Sequence, residues 1–262
     1  MTIDKDGYRF VCTKSVLYLI TPTGWHALLA GHKSEKGLKN GHGPEARFNY
    51  PRGIALDFAG NVLLADTDNH VLRKVTHTGT VTTVAGSGEK DYVDGVGTAA
   101  RFHRPWGIVV DASGTIFVAD SDNHCLRKVA PVDGAVSTLA GKGGMEGFVG
   151  NQGASAQHVS GGRQRAARFR RPRGLSLDVD SNLIVADSGN HCIRRVATDN
   201  GRVTTVAGRP EHEGHADGEA TDALFHFPRS VVVDGNNNVL VADTNNNRIR
   251  CGLCFERERE RE

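Results

Sequence analysis

No imbalance of charge marks this 262-residue sequence: 32 Lys and Arg stand against 30 Asp and Glu, a formal net of +2. Bulk electrostatics therefore singles out neither nucleic acid nor a membrane surface as partner, and any charge signal has to be local. No apolar run approaches the roughly 20 residues of a spanning helix. The opening "MTIDKDGYRF" lacks the basic start and apolar core of a secretory leader, which favours an intracellular chain. Cysteine is sparse and odd in number, at five; Cys125 and Cys192 fill the slot where Val71 stands in another copy of the same phrase, the place of a small apolar core thiol rather than a disulfide. No stretch repeats its apolar residues at 3.6-residue intervals over a helix's length. No Ser-His-Asp or Cys-His set stands outside the repeats described next, so nucleophilic catalysis has no candidate.

What the sequence does have is repetition. "RFNYPRGIALDFAGNVLLADTDNHVLRKV" at 47–75 returns as "RFHRPWGIVVDASGTIFVADSDNHCLRKV" at 101–129 and "RFRRPRGLSLDVDSNLIVADSGNHCIRRV" at 168–196. It returns again as "LFHFPRSVVVDGNNNVLVADTNNNRIR" at 224–250, and a worn copy opens the chain. A fixed internal period is the mark of a repeat architecture. Each unit reads as four short runs rich in Val, Ile, Leu and Thr separated by polar turns, that is, a four-stranded antiparallel meander. The first runs, "IALD", "IVVD" and "SVVVD", are continuously apolar, as strands covered on both faces are. Four strands per unit suit a propeller blade better than a solenoid coil.

The phrase "PRGIALDxxGNVLLADTDNHVLRKV" resembles the NHL repeat, with Asn-His literal at Asn69-His70, Asn123-His124 and Asn190-His191. The resemblance implies an all-β propeller of NHL type. Five blade repeats fall at approximately 1–31, 48–86, 102–141, 169–208 and 225–250 within a propeller domain of 1–250. The first and last are incomplete, so the ring is either closed with five blades or part of a six-bladed one. Residues 251–262 form a Cys-containing, Glu/Arg low-complexity tail. The pattern departs at Thr13-Lys14-Ser15 and at Asn247, which replaces His.

Repeats supply an internal control: a residue the blade needs recurs, and a site residue breaks the symmetry. Asp66, Asp120, Asp187 and Asp243 recur, with Asn69, Asn123, Asn190 and Asn246, and Arg73, Arg127, Arg194 and Arg250. We read them as a structural clasp, Asp and Asn closing the turn and Arg reaching the carboxylate. One histidine per blade does not converge on a metal, and Cys251-x-x-Cys254 is half a zinc site with no second half, so no metal or cofactor is expected.

The candidate binding residues lie on the face that carries the linkers into the first strands: Arg47, Arg101 and Arg168, then Arg52, Arg173 and Arg229, with Trp106 taking the place of Arg52 in the third repeat. The linker from Gly141 to Phe169 spans 28 positions where the others span 16 or 17, and it leads into a cluster of Arg163, Arg165, Arg168, Arg170, Arg171 and Arg173. Guanidinium forks suit carboxylate or phosphate, and Trp106 or Tyr50 offers a stacking plane; the bland alternatives are arginines clasped to neighbouring carboxylates and a solvated loop.

Members of the NHL family are mostly binding platforms, and one relative, an amidating lyase, is an enzyme. The resemblance thus implies a non-catalytic scaffold for a protein or peptide ligand, an acidic one given the arginines. The alternatives are single-stranded RNA at the Arg-rich loop 163–173 and a metal-dependent lyase or hydrolase in the channel. The fifth repeat stops at its third strand, so we expect an open blade edge, a piece of a longer NHL protein, and self-association through that edge.

Overall fold

The computed structural model describes residues 1–149 and 167–252. Among them there are strands and short 3-10 turns and no α-helix, so no helix is long and apolar enough to cross a membrane. The first blade holds β1 (Thr2–Ile3), β2 (Arg9–Cys12), β3 (Val16–Ile20) and β4 (His26–Gly31). The second holds β5 (Gly41–His42), β6 (Pro51–Leu56), β7 (Val62–Asp66), β8 (Val71–Val75) and β9 (Thr80–Ala85). The third repeats this with β10 (Gly95–Val96), β11 (Pro105–Val110), β12 (Ile116–Asp120), β13 (Cys125–Val129) and β14 (Ala135–Gly141). The fourth has β15 (Pro172–Leu177), β16 (Leu183–Asp187), β17 (Cys192–Val196) and β18 (Val203–Ala207), and the fifth β19 (Pro228–Val233), β20 (Val239–Asp243) and β21 (Arg248–Gly252).

Every blade is an antiparallel meander, as the alternating runs and turns predict. The first hairpin of each is set by an Asp that bonds its own turn: Asp57 Oδ1 accepts the N–H groups of Ala59 and Asn61 at 3.0 and 2.8 Å, and Asp111, Asp178 and Asp234 repeat the pattern. The second hairpin is a 3-10 turn ending in a left-handed residue, His70, His124, His191 or Asn247. In the second and third blades the linker adds a two-residue outer strand, β5 on β9 and β10 on β14, which the four-stranded reading did not contain.

The contacts divide the chain into two compact units, Met1–Glu146 and Gly147–Glu262. In the first, Val62 and Leu64 of β7 pack toward Phe10, Leu17 and Phe48, whereas Leu63 and Ala65 pack toward Phe102, Ile108 and Val118. Successive residues point to opposite faces, so a strand with a blade on each side is apolar at every position. In the second unit Ile184, Ala186 and Ile193 pack against Phe225, Val231 and Val241.

Burial differs between the first and second strands. The strands buried at every position are the second ones, β7, β12 and β16, and the first strands β6, β11, β15 and β19 are only partly buried. Each first strand pairs along one edge only, which leaves it partly exposed, yet both faces of β6 are packed, Ile54 and Leu56 toward Phe10 and Phe48 and Ala55 toward Phe102 and Ile108.

Candidate functional site

The recurrent Asp, Asn and Arg do form a clasp, but it fastens a different part of the blade than the turn. Asp66 does not cap the backbone N–H groups of its own 3-10 turn and meets that turn only through the Asn69 side chain. Its Oδ1 accepts the backbone N–H of Asn49, 17 residues upstream, at 2.8 Å, and its Oδ2 accepts Asn69 Nδ2 at 2.8 Å and Arg73 Nη1 at 2.9 Å. Arg73 goes on to the carbonyls of Arg47 and Lys39 and to Asn40 Oδ1, and Asn69 reaches the Gly37 carbonyl. The clasp therefore ties the middle hairpin of a blade to the linker that enters it. Asp120 with Asn123 and Arg127, Asp187 with Asn190 and Arg194, and Asp243 with Asn246 and Arg250 repeat it.

Arg73, Arg127 and Arg194 are fully buried, each beneath the blade's leading phenylalanine, with guanidinium carbons 5.3, 5.3 and 5.6 Å from the ring centroids of Phe48, Phe102 and Phe169. Burial pushes the carboxyls of Asp66, Asp120 and Asp187 up to about 6, against the pull of their amide, backbone and guanidinium donors. The same burial lowers the Arg73 guanidinium. These groups face inward and are spent on the fold.

The motif histidines are joints between blades. His70 Nδ1 accepts the backbone N–H of Arg104 in the next blade at 3.1 Å, and His191 Nδ1 that of Phe227 at 3.2 Å. Tyr50, Arg104, Arg171 and Phe227, each just before the blade's proline, have φ near +50° (49°, 51°, 49° and 49°), a costly conformation for bulky residues. Nothing in the sequence pattern announced either feature. Among the described residues no group of three or more His, Cys, Asp or Glu is arranged to hold a metal.

The candidate arginines fall into two sets. Arg47 bonds Glu35 at 2.7 Å and the carbonyls of Pro44 and Ala46, and Arg101 pairs with Glu89 at 2.9 Å and Asp91 at 3.3 Å. Both serve the linker beside them; the Arg47 guanidinium holds the Glu35 carboxyl below its usual range. Arg168 is half-buried, with its backbone N–H on the Val149 carbonyl. Arg170 and Arg171 are exposed, Arg173 is half-buried at the second position of β15, and Arg163 and Arg165 lie outside the described residues.

Arg52 and Arg229, the second residues of β6 and β19, are exposed. Arg52 lies with its guanidinium carbon 4.6 Å from the Trp106 ring centroid and 5.8 Å from that of Tyr50, and Lys36 Nζ lies 3.9 Å over the other aromatic partner, Tyr50. What brings Arg52 and Trp106 together is Gly53: a Cβ there would collide with the Trp106 carbonyl, so only glycine lets β6 approach β11 so closely. The result is a cationic and aromatic cluster, Lys36, Tyr50, Arg52 and Trp106, built from two adjacent blades. Lys36 was not foreseen, because only the folded linker carries it over Tyr50.

Comparison with known proteins agrees with this architecture. The NHL repeat model matches residues 102–129, 169–196 and 225–251. NHL repeat-containing protein 2 of Gallus gallus is 30% identical over 286 residues, covering 95% of this chain and 37% of the relative, so the chain spans little more than a third of that protein. Among solved structures, an auxiliary nutrient binding protein from Bacteroides ovatus superposes with a TM-score of 0.67 at 20% identity, over 95% of this chain and 57% of that one. A virginiamycin B lyase from Staphylococcus aureus superposes with a TM-score of 0.58 at 13% identity, over 98% and 69%. At such identities the two structures speak for the fold alone. With its repeated sequence phrase, its meander blades and its matches to the NHL repeat, the chain belongs to the NHL-repeat β-propellers.

Proposed function

We propose that this propeller is a non-catalytic scaffold that binds an acidic protein segment at the starts of its first strands. The observation that carries the reading is the state of Arg52. It is exposed and held over two aromatic rings, with no ion-pair partner among the described residues, whereas Arg47 and Arg101 are committed to linker carboxylates. A guanidinium preorganised by stacking and left with its donors to spare suits a carboxylate fork. Arg229 holds the same strand position in the fifth blade and is also exposed. Single-stranded RNA fits less well, because cations already lie against the Tyr50 and Trp106 rings on which bases would stack.

Fluorescence anisotropy with a labelled oligoglutamate peptide and a labelled oligouridine, each titrated at several salt concentrations, tests the proposal. We expect saturable binding of the peptide. Preferential binding of the oligouridine, with affinity falling steeply and linearly on a log-log salt plot, would replace the proposal with the RNA reading.

A further inference from the structure

The joint between the first and second blades departs from those made by His70 and His191. The first blade has Thr13-Lys14-Ser15 where the second has Asp68-Asn69-His70, and the N–H of Tyr50, which precedes the second blade's proline, goes to the Lys14 main-chain carbonyl at 2.7 Å. Backbone alone makes this joint, and an exposed lysine takes the turn position of the buried Asn69. Lys36 also sits at a position that varies. It precedes Gly37, whose carbonyl Asn69 holds; before the carbonyls held in the same way by Asn123, Asn190 and Asn246 stand Lys90, Glu146 and Glu213.

Three cations thus gather at Tyr50. Lys36 Nζ lies 3.9 Å and the Arg52 guanidinium carbon 5.8 Å from its ring centroid, and Lys36, by hydrogen bond and charge, together with Lys14, by charge, holds the phenol below its usual range. The carboxylates beside them are engaged by other guanidinium groups, Glu35 by Arg47 at 2.7 Å and Asp68 by Arg104 at 3.1 Å. Lys14, Lys36 and Arg52 are exposed and make no ion pair among the described residues.

We infer that this cluster takes a phosphate monoester carried on the bound protein segment, as phosphoserine or phosphothreonine. The inference rests on the acidic-segment reading above and names the acid. One carboxylate satisfies the Arg52 fork and leaves both lysines uncompensated. A phosphorylated side chain brings a charge of about −1.5 to −2 at neutral pH and three acceptor oxygens around one phosphorus, which matches a fork flanked by two ammonium groups. Two carboxylates on adjacent residues of an extended segment point to opposite sides and cannot both reach the cluster. A phosphotyrosine ring would need the faces of Tyr50 or Trp106, against which Lys36 and Arg52 already lie.

The test is fluorescence anisotropy on the 262-residue chain with three labelled oligoglutamate peptides whose central residue is serine, glutamate or phosphoserine. We expect the phosphoserine peptide to bind about tenfold or more tighter than the all-glutamate one, through the added charge-assisted bonds. Lys14→Ser/Lys36→Ser, with its urea midpoint checked against the wild type, brings the two peptides to equal affinity; Lys36→Gln alone, which leaves the Lys14 joint untouched, removes about threefold of the preference. Equal affinity on the wild type overturns the inference and leaves the acidic-segment reading standing, whereas no saturable binding of any peptide overturns both. A preference that survives both lysine variants, or displacement of the phosphopeptide by vesicles carrying phosphatidylinositol 4-phosphate at lower phosphate concentration than by the unlabelled phosphopeptide, also overturns it.

Discussion

At the scale of single residues, the chain buries charge to hold its linkers. Removing the Asp of a clasp takes the buried counter-charge from its arginine, which keeps only its linker partners. Asp120→Ala leaves the fully buried Arg127 with Asp94 and the Arg101 and Val93 carbonyls but without its buried carboxylate, and we predict a loss of roughly 1–3 kcal/mol in urea unfolding. An unchanged midpoint would mean that the recurrent Asp is not structural. The histidine joints make a second prediction, with a definite sign. His70 and His191 accept a backbone N–H at Nδ1, which requires the neutral ring, and burial lowers both pKa values. The unfolded chain then binds more protons, so the contribution is fully present above the unfolded value of about 6.5 and is lost as pH falls through the folded one. Asn, which stands at this turn position in the fifth blade, is the matched substitution. The stability advantage of the wild type over His70→Asn/His191→Asn should shrink between about pH 7 and 5. The clasp carboxyls, shifted the opposite way, cancel in that difference; a constant gap across the range would refute the role given to the imidazoles.

At the scale of the strand and turn, the glycines that close each blade are the most exacting elements. Gly86 has φ +100°, and a Cβ there would lie 2.7 Å from the His70 carbonyl and 2.9 Å from Val71 Cα; Gly60 has φ +79° with open space around it. We predict that Gly86→Ala costs roughly 2–3 kcal/mol and Gly60→Ala about 1 kcal/mol, because the first adds a backbone collision to the strained φ that both share. Equal losses by thermal or chemical melts would show that conformation alone matters. Much at this scale was legible beforehand: strand runs, turns and the recurrence of Asp, Asn and Arg follow from period-two patterning and from repetition. What was not legible was anything set by chain segments meeting at a distance. No local pattern says that Arg73 returns to Lys39 and Arg47, that Lys36 folds over Tyr50, or that Gly53 admits the Trp106 backbone. Of the candidate arginines, the sequence treated Arg47 and Arg52 alike; only the placement of Glu35 beside one and Trp106 beside the other separates them.

At the scale of the whole molecule, symmetry divides labour. The clasp positions recur and are consumed in holding blades and linkers, and the ligand contact we propose is the exposed Arg52 stacked on Trp106, where the third blade breaks the arginine pattern of the strand starts. The fifth blade adds a further asymmetry in Ile249, 73% exposed where its counterparts Leu72, Leu126 and Ile193 are fully buried. We predict that the chain self-associates as its concentration rises and that Ile249→Lys suppresses this in light scattering; a concentration-independent monomer mass for the wild type would contradict it. The division of labour itself is tested most directly by one paired measurement, oligoglutamate affinity and urea midpoint on the same Arg52→Ser/Arg229→Ser protein. The account predicts that affinity falls about tenfold or more while the midpoint stays within about 0.5 kcal/mol of the wild type, as for exposed residues outside the clasps. Unchanged affinity, or a midpoint that falls in step with it, would contradict the account.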